Sequence, residues 1–179
     1  MLIRKSLLKN SNAIENWHLA TERPLNIMKA YKIIKSNIHR KGLCATRNIK
    51  KGERIIEYKG KKITHKEADE NNKYGYDITY LFTLNKKYIL DGNFKFNKAR
   101  LINHSCNPNC EVLEENKPVL WITAMKDIKK NEELSYDYGF GFDCNYKDHV
   151  CKCGSKNCVG FIVREGSRWR IPKNDKCIK

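Results

Sequence analysis

The sequence predicts a mostly β fold with short helices, on three observations. From Ala30 to Tyr136, short runs rich in Ile, Val, Tyr, Phe and Thr alternate with turn residues. Beyond the first 29 residues, only two brief segments have helical texture. No strand runs through a Gly-rich turn into a helix, which excludes the alternating architecture of a Rossmann-type nucleotide-binding domain.

Residues 1–29 read as a weakly helical N-terminal extension, with Trp17 and Leu19 its candidate anchors before Pro24. Strands are expected at Tyr31–Lys35, Leu43–Arg47, Arg54–Tyr58 and Tyr80–Leu84, then at Lys87–Leu90, Cys110–Leu113, Val119–Ala124 and Glu133–Tyr136. Their β-branched and aromatic side chains suit a pleated, half-buried surface. Lys51-Gly52-Glu53 and Asp91-Gly92 mark turns. Thr64-His65-Lys66-Glu67 has the spacing of a capping box, in which the Thr hydroxyl and the Glu carboxylate satisfy each other's backbone N–H, and it opens a helix to about Asn72. A second short helix is expected over Phe96–Leu101.

At 179 residues the chain fits one domain with short extensions, and 40% hydrophobic residues are enough for a core. No apolar run approaches the roughly 20 residues of a membrane-spanning helix. Charge interrupts Met1–Lys9 too early for a secretory core, so a soluble chain without a Sec-type signal is expected. The net charge of +16 favours polyanions: nucleic acid, acidic protein surfaces, chromatin or anionic membrane. A composition heavy in Lys, Asn and Ile also fits an A+T-biased coding sequence, which raises lysine without functional cause. No helix-turn-helix, finger or RNP pattern is present, so sequence-specific nucleic-acid reading is not expected, whereas nonspecific attraction to chromatin is.

Eight cysteines stand at 44, 106, 110, 144, 151, 153, 158 and 177. Cys151-Lys152-Cys153-Gly154-Ser155-Lys156-Asn157-Cys158 crowds three thiols into eight residues, a spacing that suits metal better than disulfides. Three thiolates leave a tetrahedral zinc one ligand short, so a fourth must come from elsewhere in the chain.

Ala99-Arg100-Leu101-Ile102-Asn103-His104-Ser105-Cys106-Asn107-Pro108-Asn109-Cys110 makes a poor strand and a poor helix. Alone it reads equally well as a polar turn held by Asx and Ser side-chain bonds. It is followed by Glu133-Leu134-Ser135-Tyr136-Asp137-Tyr138 and the cysteine cluster, and preceded by Ser36-Asn37-Ile38-His39-Arg40-Lys41-Gly42. In that order these segments closely resemble the SET-domain lysine methyltransferases with a post-SET zinc element, over roughly residues 31–162.

The resemblance implies a β fold of small sheets with a pseudoknot, in which the Tyr-Asp-Tyr segment passes through a loop near Asn103-His104. It implies a SET domain over 30–140, a post-SET zinc element over 141–165 and a basic tail over 166–179. The implied methyl donor is S-adenosylmethionine, with S-adenosylhomocysteine as product. His39, Arg40, Lys41 and Gly42 would cradle its amino-acid part, Asn103 would hold its amine and His104 its adenine, with Tyr80, Arg100, Tyr138 and Phe161 completing the pocket. Arg40 stands where the family pattern has the first glycine of Gly-x-Gly, so a turn with its side chain directed outward is expected. Tyr138 matches the transfer-site tyrosine, Tyr80 a tyrosine of the lysine channel and Tyr136 the position that limits methyl number. Cys106 would join Cys151, Cys153 and Cys158 around Zn2+, leaving Cys44, Cys110, Cys144 and Cys177 as small hydrophobes or surface thiols.

Methyl transfer to an amine is an in-line displacement that needs a neutral lysine, and a dry aromatic channel disfavours the ammonium, so no charged base is required. The implied substrate is a histone tail or another lysine-rich protein. The implied setting is the nucleus and chromatin (a host nucleus for a microbial effector), or the cytoplasm for a non-histone substrate. A monomer is expected. A catalytically inactive module that binds histone tails or a partner would not require Asn103, His104 and Tyr138 together, and a zinc-dependent nucleic-acid binder would show finger-like spacing.

Overall fold

The computed structural model describes residues 29–71, 80–115 and 119–175. The extension over residues 1–28, with Trp17 and Leu19, and Cys177 lie outside the described residues. Ten short strands and one short α-helix account for the regular structure there, with 3-10 turns between them.

β1 (Tyr31–Lys35) and β2 (Lys41–Ala45) form an antiparallel pair, with Tyr31 opposite Ala45 and Lys35 opposite Lys41. β2 begins before the expected Leu43, because pairing with Lys35 draws Lys41 and Gly42 into the ladder. β3 (Arg54–Tyr58), which carries a bulge near its start, becomes one edge of a three-stranded sheet completed by two later strands. β4 (Lys61–Thr64) was not expected from its polar text; it is an outer strand that buries Ile63 alone. Thr64 then caps α1 (His65–Asn71): its backbone N–H donates to Glu67 Oε2 at 2.7 Å, and the Glu67 N–H donates to Thr64 Oγ1 at 3.1 Å.

β5 (Leu81–Thr83) and β6 (Tyr88–Asp91) complete the second three-stranded sheet, in the order β4-β6-β5. The expected helix over Phe96–Leu101 is a 3-10 turn, Lys98–Leu101. β7 (Asn103–His104) arises in the run judged a poor strand, because its partner is supplied by tertiary pairing rather than by local propensity. β8 (Cys110–Glu115) and β9 (Val119–Ala124) form a hairpin that packs β9 against β3. β10 (Ser135–Tyr136) pairs parallel with β7.

The main core lies where these sheets converge. Leu43, Ala45, Ile49, Tyr58, Ile102, Ile122, Ile128 and Leu134 are essentially inaccessible to water. Truncating one of the leucines or isoleucines among them to alanine costs about 2–5 kcal/mol, the lost transfer energy plus that of the cavity left behind. Beyond β10, a smaller core gathers Tyr146, Phe161, Val163 and Ile171 with Phe142 and Val159. Residues 165–170 turn back as a 3-10 segment in which Ser167 and Arg168 are buried. Among the described residues, no helix is long and apolar enough to cross a membrane.

Candidate functional site

The parallel pairing of β7 with β10 sets Asn103 beside Ser135 and His104 beside Tyr136. Asn109 splices the two segments. Buried, it accepts the Ser135 N–H at 2.9 Å on Oδ1 and donates from Nδ2 to the Glu133 carbonyl and the Glu132 carboxylate, both at 2.9 Å. The Ser105 N–H adds a bond to the Tyr136 carbonyl at 3.2 Å. The local bonding expected of a polar turn is present at Ser105, whose Oγ accepts the Asn107 N–H at 3.1 Å, whereas Asn109 joins two distant segments instead.

A cavity of about 560 Å³ opens beside this junction. His39, Arg40, Lys41, Tyr80, Arg100, Asn103, His104 and Tyr138 line it. Gly42, Tyr136 and Phe161, expected in the same site, are not among its lining residues. Arg100 lies over the Tyr80 ring at 5.5 Å, a cation–π contact that orients both on one wall. Arg40 adopts a left-handed backbone with φ 43°, a conformation natural to the glycine of the family pattern and strained for a side chain. The residue is exposed and also lines the cavity.

Gly42 acts one step behind the cavity. A Cβ there would collide with the Glu133 carboxylate and meet Ser36 Cβ at 3.2 Å. Glu133 Oε1 accepts from Ser36 Oγ at 2.7 Å and from Asn103 Nδ2 at 3.0 Å. The same amide nitrogen faces Ser36 Oγ at 2.9 Å and the carbonyls of Lys41 and His39 at 3.2 and 3.3 Å. Ser36 Oγ also accepts the Ile38 and His39 N–H groups, so the Asn103 amide sits among oxygens that include a carboxylate, a setting that suits a cationic amine. Glu133 and Ser36 stand in the motifs quoted from the sequence, which assigned neither of them a role.

The opposite wall is aromatic. The Tyr138 ring lies 4.9 Å from Tyr136, 5.9 Å from Phe140 and edge-on to His104 at 5.4 Å. Its hydroxyl donates to the Ile102 carbonyl at 2.9 Å, and its backbone N–H donates to His104 Nδ1 at 3.2 Å. Tyr136 stacks on Phe82 at 6.0 Å, and Phe82 meets Tyr58 edge-on at 4.6 Å. The Tyr58 hydroxyl donates to the Tyr80 carbonyl at 3.0 Å. Tyr58 also explains the Asp91-Gly92 turn, because a side chain on Gly92 would enter its ring. Burial first, and then neighbouring phenols (Tyr80 for Tyr138, Tyr138 and others for Tyr58 and Tyr136), push the phenols of Tyr58, Tyr136 and Tyr138 above their ordinary range, so all three stay neutral hydroxyls. Tyr138, Tyr80 and Phe140 thus give the cavity an aromatic side, with Tyr136 and Tyr58 packed behind it.

The Sγ atoms of Cys106, Cys151, Cys153 and Cys158 all lie within 4.8 Å of one another, with Cys106 and Cys151 at 3.8 Å. Four sulfurs held at ~2.3 Å from one zinc would be about 3.8 Å apart, so the donor set suits a tetrahedral thiolate site. The Cys106 N–H points at Cys153 Sγ at 3.4 Å and the Gly160 N–H at Cys158 Sγ at 3.5 Å, bonds that favour thiolates. The neighbouring Cys151 thiol and His104 hold the Cys106 thiol well below its ordinary range, although burial opposes them. Because His104 Nδ1 accepts from Tyr138, the imidazole proton belongs on Nε2, which faces Cys106 Sγ at 3.7 Å. One histidine therefore touches both the aromatic wall and the cysteine cluster. Cys144 is exposed and stands apart, and Cys44 and Cys110 are buried elsewhere.

Phe161 is buried in the smaller core, edge-on to Tyr146 at 5.2 Å, and its neighbour Ile162 lines the cavity instead. His149, edge-on to Phe140 at 4.9 Å, lines it as well. The only sequence signal for His149 is its place just before the first clustered cysteine.

Comparison with known proteins places these segments together. The SET domain model matches residues 40–139. A histone-lysine N-methyltransferase, H3 lysine-4 specific, of Chaetomium globosum is 36% identical over 168 residues, 89% of this chain and 15% of the relative. A putative histone-lysine N-methyltransferase 1 of Plasmodium falciparum is 40% identical over 134 residues, 70% of this chain and 2% of the relative. The histone-lysine N-methyltransferase trithorax of Drosophila virilis is 36% identical over 139 residues, 73% of this chain and 4% of the relative. The chain thus spans a small fraction of each relative's length. With its β7–β10 junction, aromatic wall and matched segment in agreement, the chain belongs to the SET domain family.

Proposed function

We propose that this chain is a protein-lysine N-methyltransferase that uses S-adenosylmethionine and acts on histone lysine. The observation that carries the reading is one cavity with two unlike sides: oxygens that include the Glu133 carboxylate around Asn103, and the aromatic rings of Tyr138, Tyr80 and Phe140. The donor, when bound, supplies an activated methyl on a sulfonium, leaving S-adenosylhomocysteine. Asn103, backed by Glu133 and the carbonyls of His39 and Lys41, would hold its amine, while His39, Arg40, Lys41, Arg100 and His104 enclose the remainder. Tyr138, Tyr136 and Tyr80 would surround the lysine nitrogen, excluding water and directing its lone pair without a charged base. The raised phenol pKa values of Tyr136 and Tyr138 keep those two hydroxyls donors and acceptors rather than phenolates at neutral pH.

The domain layout proposed is SET over 30–140, post-SET over 141–165 and a basic segment over 166–179. The parallel junction of β7 and β10 supports the threaded arrangement expected of the family. Cys106, Cys151, Cys153 and Cys158 would hold one zinc, pinning the smaller core beside the cavity. A histone tail suits the net charge poorly by itself, since both are basic. The basic surface instead suits the DNA around that tail and a nuclear, chromatin setting. The names of the relatives support histone H3 as the substrate. Incubation with radiolabelled S-adenosylmethionine and core histones, with mass spectrometry of the product, tests the reading. Label on a histone lysine is expected; none on histones or on total extract would overturn it.

A further inference from the structure

Arg168 lies in the 3-10 turn Glu165–Arg170, beyond the last clustered cysteine and beyond the residues matched by the family model. Among the described residues it is the one Lys or Arg that is buried, at 9% exposure. Its neighbours Trp169 and Arg170 are exposed, so the turn directs this side chain inward on its own. Buried Ile171 and the bond from Arg164 Nε to Ser167 Oγ at 2.9 Å fix the turn on either side.

Its guanidinium donates in three directions to three separate segments. Nε reaches the Val163 carbonyl at 2.8 Å, in the smaller core. Nη1 reaches the Cys106 carbonyl at 2.8 Å, in the cysteine cluster. Nη2 reaches Asp137 Oδ2 at 2.7 Å, between Tyr136 and Tyr138. Only a planar fork of donors spans three acceptors at fixed angles; an ammonium cannot. Desolvating the two ions offsets much of their attraction, so this pair adds defined geometry more than net stability.

Asp137 is fixed at both oxygens. Oδ2 also accepts the Glu165 N–H at 3.0 Å, and Oδ1 accepts the Gly139 N–H at 3.0 Å. The backbone on both sides of Tyr138 is thereby held, including the N–H that meets His104 Nδ1. The Asp137 carboxylate is 3.8 Å from that nitrogen, a neighbour whose hydrogen-bonding role Tyr138 has already taken.

We propose that Arg168 is a positioning residue for Tyr138, acting through Asp137, so that the segment after the cysteine cluster is part of the catalytic unit. The proposal rests on the methyl-transfer reading for its kinetic arm alone. In the 179-residue chain, Arg168→Met is expected to lower kcat by roughly tenfold to a hundredfold, the scale of a small misplacement of a reacting group. KM for histone should stay within about threefold, and affinity for S-adenosylmethionine should fall less than kcat does, because Arg168 reaches the cofactor side only through Tyr138 and His104. Arg168→Lys keeps the charge and loses the fork, and should recover part of kcat. A second readout is independent of activity: the ¹⁵N imidazole spectrum, assigned with His104→Gln, should show His104 Nδ1 losing its hydrogen bond in Arg168→Met while circular dichroism remains folded. If the unaltered chain transfers no methyl group, the methyl-transfer reading fails, and the His104 signal still decides the positioning role. An unchanged kcat, an unchanged His104 signal, or a loss of kcat accounted for by the unfolded fraction in both variants would overturn the proposal.

Discussion

The Glu133 carboxylate occupies the space that a side chain on Gly42 would need, and from there it accepts the Asn103 amide at 3.0 Å. A residue missing its side chain in β2 therefore makes room for the acceptor that orients a residue in β7. The glycine that seems to invite a ligand's backbone approach is already filled from within the protein.

Gly42→Ala should accordingly weaken the cofactor rather than the fold alone. The added methyl must displace Glu133 or Ser36, an overpacking that costs about 1–3 kcal/mol. Calorimetric titration with S-adenosylmethionine is expected to show affinity reduced by at least tenfold. Glu133→Gln, which keeps the volume and loses the charge, should reduce it less. Undiminished affinity in both variants would separate this carboxylate from the cofactor site.

Tyr138→Phe removes one hydroxyl that donates to the Ile102 carbonyl and stands beside Tyr136. Turnover is expected to fall by well over tenfold, a loss above ~1.4 kcal/mol of barrier, with S-adenosylmethionine affinity largely kept. Steady-state kinetics with parallel calorimetry read both numbers. Retention of more than about a tenth of the turnover would remove Tyr138 from the transfer step.

Tyr136 should set how many methyl groups the lysine accepts. Its ring is buried between Tyr138 and Phe82, and its phenol stays neutral. A hydroxyl there can hold an ordered water beside the amine, and displacing a well-bonded water by a methyl is unfavourable. The chain should stop mainly at monomethyl-lysine, and Tyr136→Phe should shift product toward the di- and trimethyl forms. Mass spectrometry of a histone peptide after long incubation decides it, with abundant trimethyl product from the unaltered chain as the contrary result.

Metal analysis should find close to one zinc per chain. Cys106→Ser is expected to lower that figure, and Cys144→Ser to leave it unchanged, because the Cys144 thiol is exposed and outside the cluster. A loss on Cys144→Ser would reassign the fourth ligand.

Arg40→Gly should raise stability, by up to about 1 kcal/mol, since the left-handed backbone at φ 43° is strained for a residue bearing a side chain. Thermal unfolding measures the change. A clear loss of stability would mean that the Arg40 side chain contributes more than its backbone costs.

Sequence patterning locates Arg54–Tyr58 and Val119–Ala124, whose own residues pack, and also Tyr31–Lys35, which buries no residue fully and is held by its pairing with β2; all three begin and end as expected. Lys61–Thr64 escapes notice because it buries a single residue at a sheet edge. Asn103–His104 escapes it because its partner comes from Ser135–Tyr136, and no local propensity records such a partner. The same division runs through the site. Asn103, His104, Tyr138 and the clustered cysteines are visible as motifs of unusual chemistry. Glu133, Arg168 and His149 are ordinary in type and acquire their places only through tertiary contacts. Arg168 in particular sits in a run that composition reads as a solvated basic tail.

The junction of β7 and β10 is two residues wide on each side and joins segments separated by the whole β8–β9 hairpin. Closing it requires the intervening chain to be in place first, since distant pairings recover their loop entropy only after local ones form. The cavity should therefore be among the last features to assemble during refolding and among the first to open under mild denaturant. Amide exchange at Ser105 and Asn109, whose N–H groups bond across the junction, would report that order directly.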